Sequence, residues 1–170
     1  MREKYSILSN FDIIDIADKL GLKDLIFIGT QDLLNTVPKK DRKNKFYIIN
    51  LDRQIENGGE GVGNHWVCLS THTKPFYFNS FAMPPPQRII NFITMLGFKE
   101  LFYWDKQIQS LNSQICGWYC LMVCDLLNQY YLKNKSFDKF IKDFINIGFD
   151  FDIQEVKNNK IVLKYFSKRI

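Results

Sequence analysis

Four side chains in this sequence have the types and spacing for covalent catalysis. Cys116 opens an apolar helix-forming run that reaches Leu132, and Gly117 follows it at once. A helix start presents free N–H groups and roughly half a unit of positive charge, which favours a thiolate nucleophile. His65 stands at a strand start, after a stretch with four glycines (53–64) and before Trp66. Asn79 ends the strand expected to pair with that of His65. Its side-chain carbonyl can accept from one ring N–H and fix the tautomer. Gln109 lies seven residues before Cys116. Its amide NH₂ can face a developing oxyanion, with the backbone N–H of Cys116 as second donor. Thiol, imidazole, orienting group and oxyanion donors are the set a cysteine peptidase needs. Each also has a plainer reading: a core cysteine entering a helix, or a solvated histidine at a strand end. Trp66 reads equally as a wall over the site or as an edge-strand aromatic.

The elements that must position these residues follow from periodicity and turn chemistry. Ser9 or Asn10 can cap a first helix whose apolar positions recur to Leu20, with Gly21 to end it. Strands are expected at 24–29, 45–51, 65–70, 75–80 and 100–105, the third and fourth as a hairpin. Residues 30–44 read as loop with one helical turn at 31–34. Three prolines at 84–86 start a helix to about Leu96. The Cys116 helix is apolar nearly all round in its first three turns, the pattern of a buried helix. Residues 136–147 form an amphipathic helix, and 160–166 read as a late strand. The expectation is one α+β domain over 1–170, its mostly antiparallel sheet packed on the buried helix.

Composition narrows the class. The chain has 170 residues, 46% hydrophobic and 15% aromatic, enough for a packed core. No apolar run nears the ~20 residues that span a bilayer, and the N-terminal stretch has no signal-peptide pattern. A non-secreted protein without membrane attachment is expected. The net charge is +5, and PKKDRKNK (38–45) holds five cations in eight residues. That permits an acidic or nucleic-acid partner, although a solvated loop explains the run as well. Cys68, Cys116, Cys120 and Cys124 read as reduced thiols. Three share one helix at a spacing of four, and paired CxxC knuckles are absent, so neither a metal nor another cofactor is expected. Cys68, Cys120 and Cys124 read as small core side chains.

The pattern GVGNHWV … YFNSF … QSLNSQICGWYC resembles the adenovirus-type cysteine proteases, the adenain clan, which includes the SUMO-deconjugating proteases. Upstream, SNFDIIDIADKLG, LIFIGTQDLL and IINLD, with YFNSFAMPPPQRI further on, look most like the maturation proteases of virophages and Maverick/Polinton elements. The likeness covers roughly residues 8–130. It implies an adenain/SUMO-protease-like fold with His65 as general base, Asn79 orienting it, Cys116 as nucleophile and Gln109 in the oxyanion hole. It also implies substrate contacts from Trp66 and Gly117. Many relatives carry an acid where this chain has Asn79. The resemblance further implies cleavage after glycine, at Gly-Gly-X or Gly-X-Gly sites, in capsid or other virion precursors. Stimulation by DNA and an activating peptide are family features, and the compartments would be the host cytoplasm, at viral factories, and the virion. Cys68 does not occupy the cysteine position that carries the adenovirus activator. Rival readings are a deconjugating protease for ubiquitin-like Gly-Gly tails, a non-catalytic DNA- or capsid-binding module, and a clan acyltransferase. The last 35 residues match no motif of the family.

Overall fold

The computed structural model describes residues 7–51, 65–110, 113–152 and 155–170. A five-stranded sheet forms its centre, in the order β1 (Leu25–Thr30), β2 (Phe46–Asn50), β3 (Trp66–Ser70), β4 (Phe76–Phe78), β5 (Phe102–Tyr103). The two central pairings, β2–β3 and β3–β4, are antiparallel, as expected of the hairpin. The two outer pairings, β1–β2 and β4–β5, are parallel.

Every residue of β2, β3 and β4 is buried, because both faces of the sheet are covered. Phe46, Ile48, Cys68, Phe76 and Phe78 face one core, filled by α1 (Asn10–Leu20), α3 (Cys116–Leu132), α4 (Phe137–Ile145) and α5 (Glu155–Arg169). Tyr47, Ile49, Val67, Leu69 and Tyr77 face a second core under α2 (Gln87–Met95). The period of two along the strands thus sorts the side chains between two layers. α1 begins with a Ser9–Asp12 capping box and ends at Gly21, whose φ of 71° suits a residue without a side chain. α3 is the central helix. Residues 116–125 are all buried: 116–124 form a nearly all-round apolar run, and Asp125 is paired with Arg169.

Two expectations are corrected. Residues 160–166 belong to α5 and not to a strand. The residues IVLKYF have strand-like propensity, but Asn158, Val162 and Phe166 stand four apart and are all fully buried. Phe166 packs edge-on against Trp118 of α3, with ring centroids 5.1 Å apart. Packing of a helical stripe outweighs local propensity here. The basic run 38–45 is not wholly a solvated loop. Arg42 is buried, and its guanidinium donates to the carbonyls of Val37 (2.8 Å) and Asn35 (3.1 Å). The glycine-rich stretch 53–64 lies outside the described residues.

Candidate active site

The sheet and α3 bring His65, Asn79, Gln109 and Cys116 into one hydrogen-bonded neighbourhood. His65 directly precedes β3, and its carbonyl accepts from the backbone N–H of Leu51 at 3.1 Å. Asn79 directly follows β4. A tight turn closes there, with Ala82 N–H donating to the Asn79 carbonyl at 2.8 Å and Ala82 in the left-handed region at φ 62°. The turn points the Phe81 backbone N–H at Asn79 Oδ1, 2.9 Å away. An N–H can only donate, so the carboxamide atom facing it is oxygen. The same oxygen lies 2.8 Å from His65 Nε2. Nε2 therefore carries a proton, and Nδ1 is the nitrogen able to accept one. Phe81 also stacks on the imidazole, with centroids 4.2 Å apart and planes 11° apart, which fixes the ring plane. In this geometry Asn79 Oδ1 is placed to accept from the imidazole.

Cys116 is the first residue of α3, and its side chain reaches back to β3. The backbone N–H of Trp66, the residue after His65, donates to Cys116 Sγ at 3.3 Å. Two effects compete on the thiol. Burial pushes its pKa up, and the backbone N–H groups of Trp66, Gly117 and Cys116 itself pull it down. Burial wins, and the pKa is raised above its ordinary value. A thiol lowered by the helix end is thus not what the resting protein holds. The helix N-terminus acts in the expected direction, but desolvation is larger, because Cys116 is only 4% exposed.

Gln109 is fully buried and held at both ends of its amide. Its Nε2 donates to the Ser113 carbonyl at 2.9 Å, and its Oε1 accepts a short hydrogen bond from Ser80 Oγ. The Ser113 carbonyl can only accept, so the amide orientation is fixed. One N–H of Nε2 thereby anchors the loop that enters α3.

Trp66 and Gly117 face this chain's own N-terminal segment. Trp66 Nε1 donates to the Leu8 carbonyl at 3.0 Å. A Cβ on Gly117 would lie 3.3 Å from Leu8 Cβ and 3.4 Å from Trp66 Cδ1. The close approach that Gly117 permits is that of Leu8 and Trp66. Cys68, Cys120 and Cys124 are buried in the core, and burial raises all three thiols. A cavity of about 540 Å³ opens between β5 and α4, lined by Phe76, Phe102, Trp104 and Phe137 among others, and none of the candidate residues borders it. Among the described residues no group of three or more His, Cys, Asp or Glu side chains is arranged to hold a metal. Nor is any helix among them long and apolar enough to cross a membrane.

Sequence reasoning left Ser80 and Phe81 without roles, although both stand in the NSF triplet beside Asn79. Their signal was adjacency to a candidate on a turn. Asn112, part of the motif around Gln109, lies outside the described residues.

Fold and site together define an α+β domain with a Cys–His–Asn arrangement at one end of a five-stranded sheet. No protein-family model and no curated protein matches the chain. Among solved structures, a crystal structure of the selenomethionine ASFV pS273R protease is similar, with a TM-score of 0.48 and 17% identity. The likeness covers 80% of this chain and 62% of that one, so this chain spans less than two thirds of that structure's length.

Proposed function

We propose that this chain is a cysteine endopeptidase of the adenain and SUMO-protease clan, acting on virion precursor proteins after glycine. The observation that carries the chemistry is the oriented His65–Asn79 pair at 2.8 Å, next to a thiol that accepts from the neighbouring backbone N–H. The raised thiol pKa makes the neutral thiol the resting form. As substrate docks, the Sγ proton passes to His65 Nδ1 and Sγ attacks the scissile carbonyl. The Cys116 N–H and the second N–H of Gln109 Nε2 take up the oxyanion. His65 returns the proton to the leaving amine, leaving a thioester on Cys116. Water, deprotonated by His65, then releases the acid. Asn79 accepts from Nε2–H throughout and stabilises the imidazolium without adding a charge.

The glycine preference, the capsid or other virion substrates and a site of action in host cytoplasm and virion rest on the sequence motifs. So does stimulation by DNA or by an activating peptide. The test compares wild type with His65→Ala in two assays. The first is alkylation of Cys116 by iodoacetamide from pH 6 to 10, mapped by mass spectrometry. The second is hydrolysis of a fluorogenic peptide amide ending in Gly-Gly. Wild type should alkylate faster near pH 7, and the gap between the two curves should narrow as pH rises towards 10, because His65 matters less as the raised thiol begins to ionise unaided. Only wild type should cleave the peptide. Equal alkylation at pH 7 refutes the pairing. Cleavage of ubiquitin-like precursors, with virion precursors left intact, moves the reading to the deconjugating branch.

A further inference from the structure

The C-terminal 35 residues, which match no motif, contribute a buried side chain to the Gln109 loop. We infer that Asn158 on α5 is a positioning residue for Gln109, an inference that rests on the peptidase reading for its catalytic meaning. Asn158 is fully buried, and both its amide hydrogens and its amide oxygen are hydrogen-bonded. Its Nδ2 donates to the Ile108 carbonyl at 2.9 Å and to the Asp150 carbonyl at 2.8 Å. Its Oδ1 accepts from the Asp150 N–H at 2.6 Å. Two pure acceptors and one pure donor fix this amide in a single orientation.

The Ile108 carbonyl and the Gln109 N–H are the two ends of one peptide group. The carbonyl is held by Asn158, and the N–H donates to the Ser80 carbonyl at 3.2 Å. The peptide that carries Gln109 is therefore clamped between α5 and the turn after β4. Tyr119 of α3 adds its hydroxyl, 3.3 Å from the same Ile108 carbonyl and 3.1 Å from Asn159 Oδ1. The backbone clamp and the Ser80 and Ser113 bonds to the Gln109 side chain act on the same residue. An oxyanion donor gains its effect from being fixed before charge develops, and small displacements are costly. α5 is thus part of the apparatus that pre-sets the oxyanion donor. Loss of Asn158 should weaken transition-state stabilisation and leave the thiol and imidazole as they are.

The test uses Asn158→Ala, Asn158→Asp and a packing control, Val162→Ala, on the same buried stripe of α5. Asn158→Asp keeps the shape but turns two donor contacts into oxygen–oxygen repulsion. Three quantities are measured on the whole chain: amide hydrogen exchange of residues 106–110, Cys116 alkylation by iodoacetamide, and kcat on the Gly-Gly peptide amide. Both Asn158 variants should speed exchange of 106–110 and lower kcat by about tenfold. KM and alkylation should stay within about twofold, because alkylation forms no oxyanion. Val162→Ala should destabilise the protein without slowing kcat. Unchanged exchange at 106–110, or alkylation that falls as far as kcat, overturns the inference. A wild-type chain that alkylates like His65→Ala refutes the peptidase reading instead, and the exchange data then still decide whether Asn158 holds the loop.

Discussion

Removing the acceptor at position 79 tests how much the orientation of His65 contributes to the site. Asn79→Ala keeps the thiol, the imidazole and the Phe81 ring, and deletes both the 2.9 Å bond from the Phe81 backbone N–H and the 2.8 Å bond to Nε2. In the resting protein that bond joins neutral partners, and such bonds contribute about 1 kcal/mol. When His65 takes the thiol proton the donor becomes an imidazolium, and bonds of that kind contribute about 1.5–3 kcal/mol. The difference, roughly 0.5–2 kcal/mol, is what Asn79 adds to proton transfer, and it corresponds to about a 2- to 30-fold change. Alkylation of Cys116 at pH 7 and kcat/KM on the Gly-Gly peptide should both fall within that range. The loss is expected to be far smaller than the ~10⁴ seen when a serine protease loses its buried carboxylate, because no charge is removed. The difference from wild type should shrink as pH rises towards 10, where the thiol begins to ionise without His65. A variant within twofold of wild type in both assays at pH 7 would refute the idea that Asn79 drives proton transfer.

Two further perturbations probe the frame of the site. Gly117→Ala places a methyl group 3.3 Å from Leu8 Cβ and 3.4 Å from Trp66 Cδ1, so Leu8 and Trp66 must shift. We expect a loss of about 1–3 kcal/mol in urea denaturation, with a change in tryptophan emission; full stability would show that the N-terminal segment yields freely. His72 is held down to a pKa of about 4, first by burial and then by Lys45, with Asp24 opposing. It stacks on Tyr131 and lies tilted against Phe46, and its Nδ1 lies 2.6 Å from Ser70 Oγ. The folded pKa is depressed below the ordinary 6.5, so the unfolded chain takes up the proton first as pH falls. Stability should therefore decline from about pH 6.5 towards pH 4, and His72→Gln should flatten that stretch of the pH–stability curve.

The positions of the candidates in the fold were legible because each sat at an element boundary that the sequence marks. The glycine-rich stretch before His65, the strand ending at Asn79 and the abrupt start of the Cys116 helix all have composition signals, and the boundaries hold within a few residues. What the sequence hid was decided by tertiary contact. The segment 160–166 has strand-forming residues, and only docking of Val162 and Phe166 against α3 makes it helical. The rise in the Cys116 pKa needs the amount of burial, which no local rule supplies. The outer parallel pairings are non-local in the same way: β1 and β2 are joined through two short 3₁₀ turns (Gln31–Thr36 and Lys39–Asp41), where a helical crossover is commoner. Arg42 looked like one more cation in a basic run because its partners are carbonyls, and carbonyls leave no trace in composition.

The uncharged residue at 79 and the raised thiol pKa act in the same direction, since both favour a neutral resting pair. Asn79→Asp should reverse that balance. The Phe81 N–H and His65 Nε2–H would then face a carboxylate, and the third donor is already nearby. Tyr77 Oη and Asn79 Nδ2 are both buried without a hydrogen-bond partner. Burial raises the Tyr77 phenol, and the Asn79 amide beside it opposes that rise. An oxygen in place of Nδ2 would accept from the Tyr77 hydroxyl, so the carboxylate would meet three donors. A negative charge next to Nε2 stabilises the imidazolium and so the proton transfer from Cys116. Alkylation at pH 7 should rise severalfold over wild type, whereas Asn79→Ala lowers it. Combining Asn79→Asp with Tyr77→Phe should remove part of the gain, because one oxygen then loses its donor in a buried site. If Asn79→Asp falls to the level of Asn79→Ala, the cost of burying the carboxylate exceeds its attraction for the imidazolium, and the neutral amide is what this pocket requires.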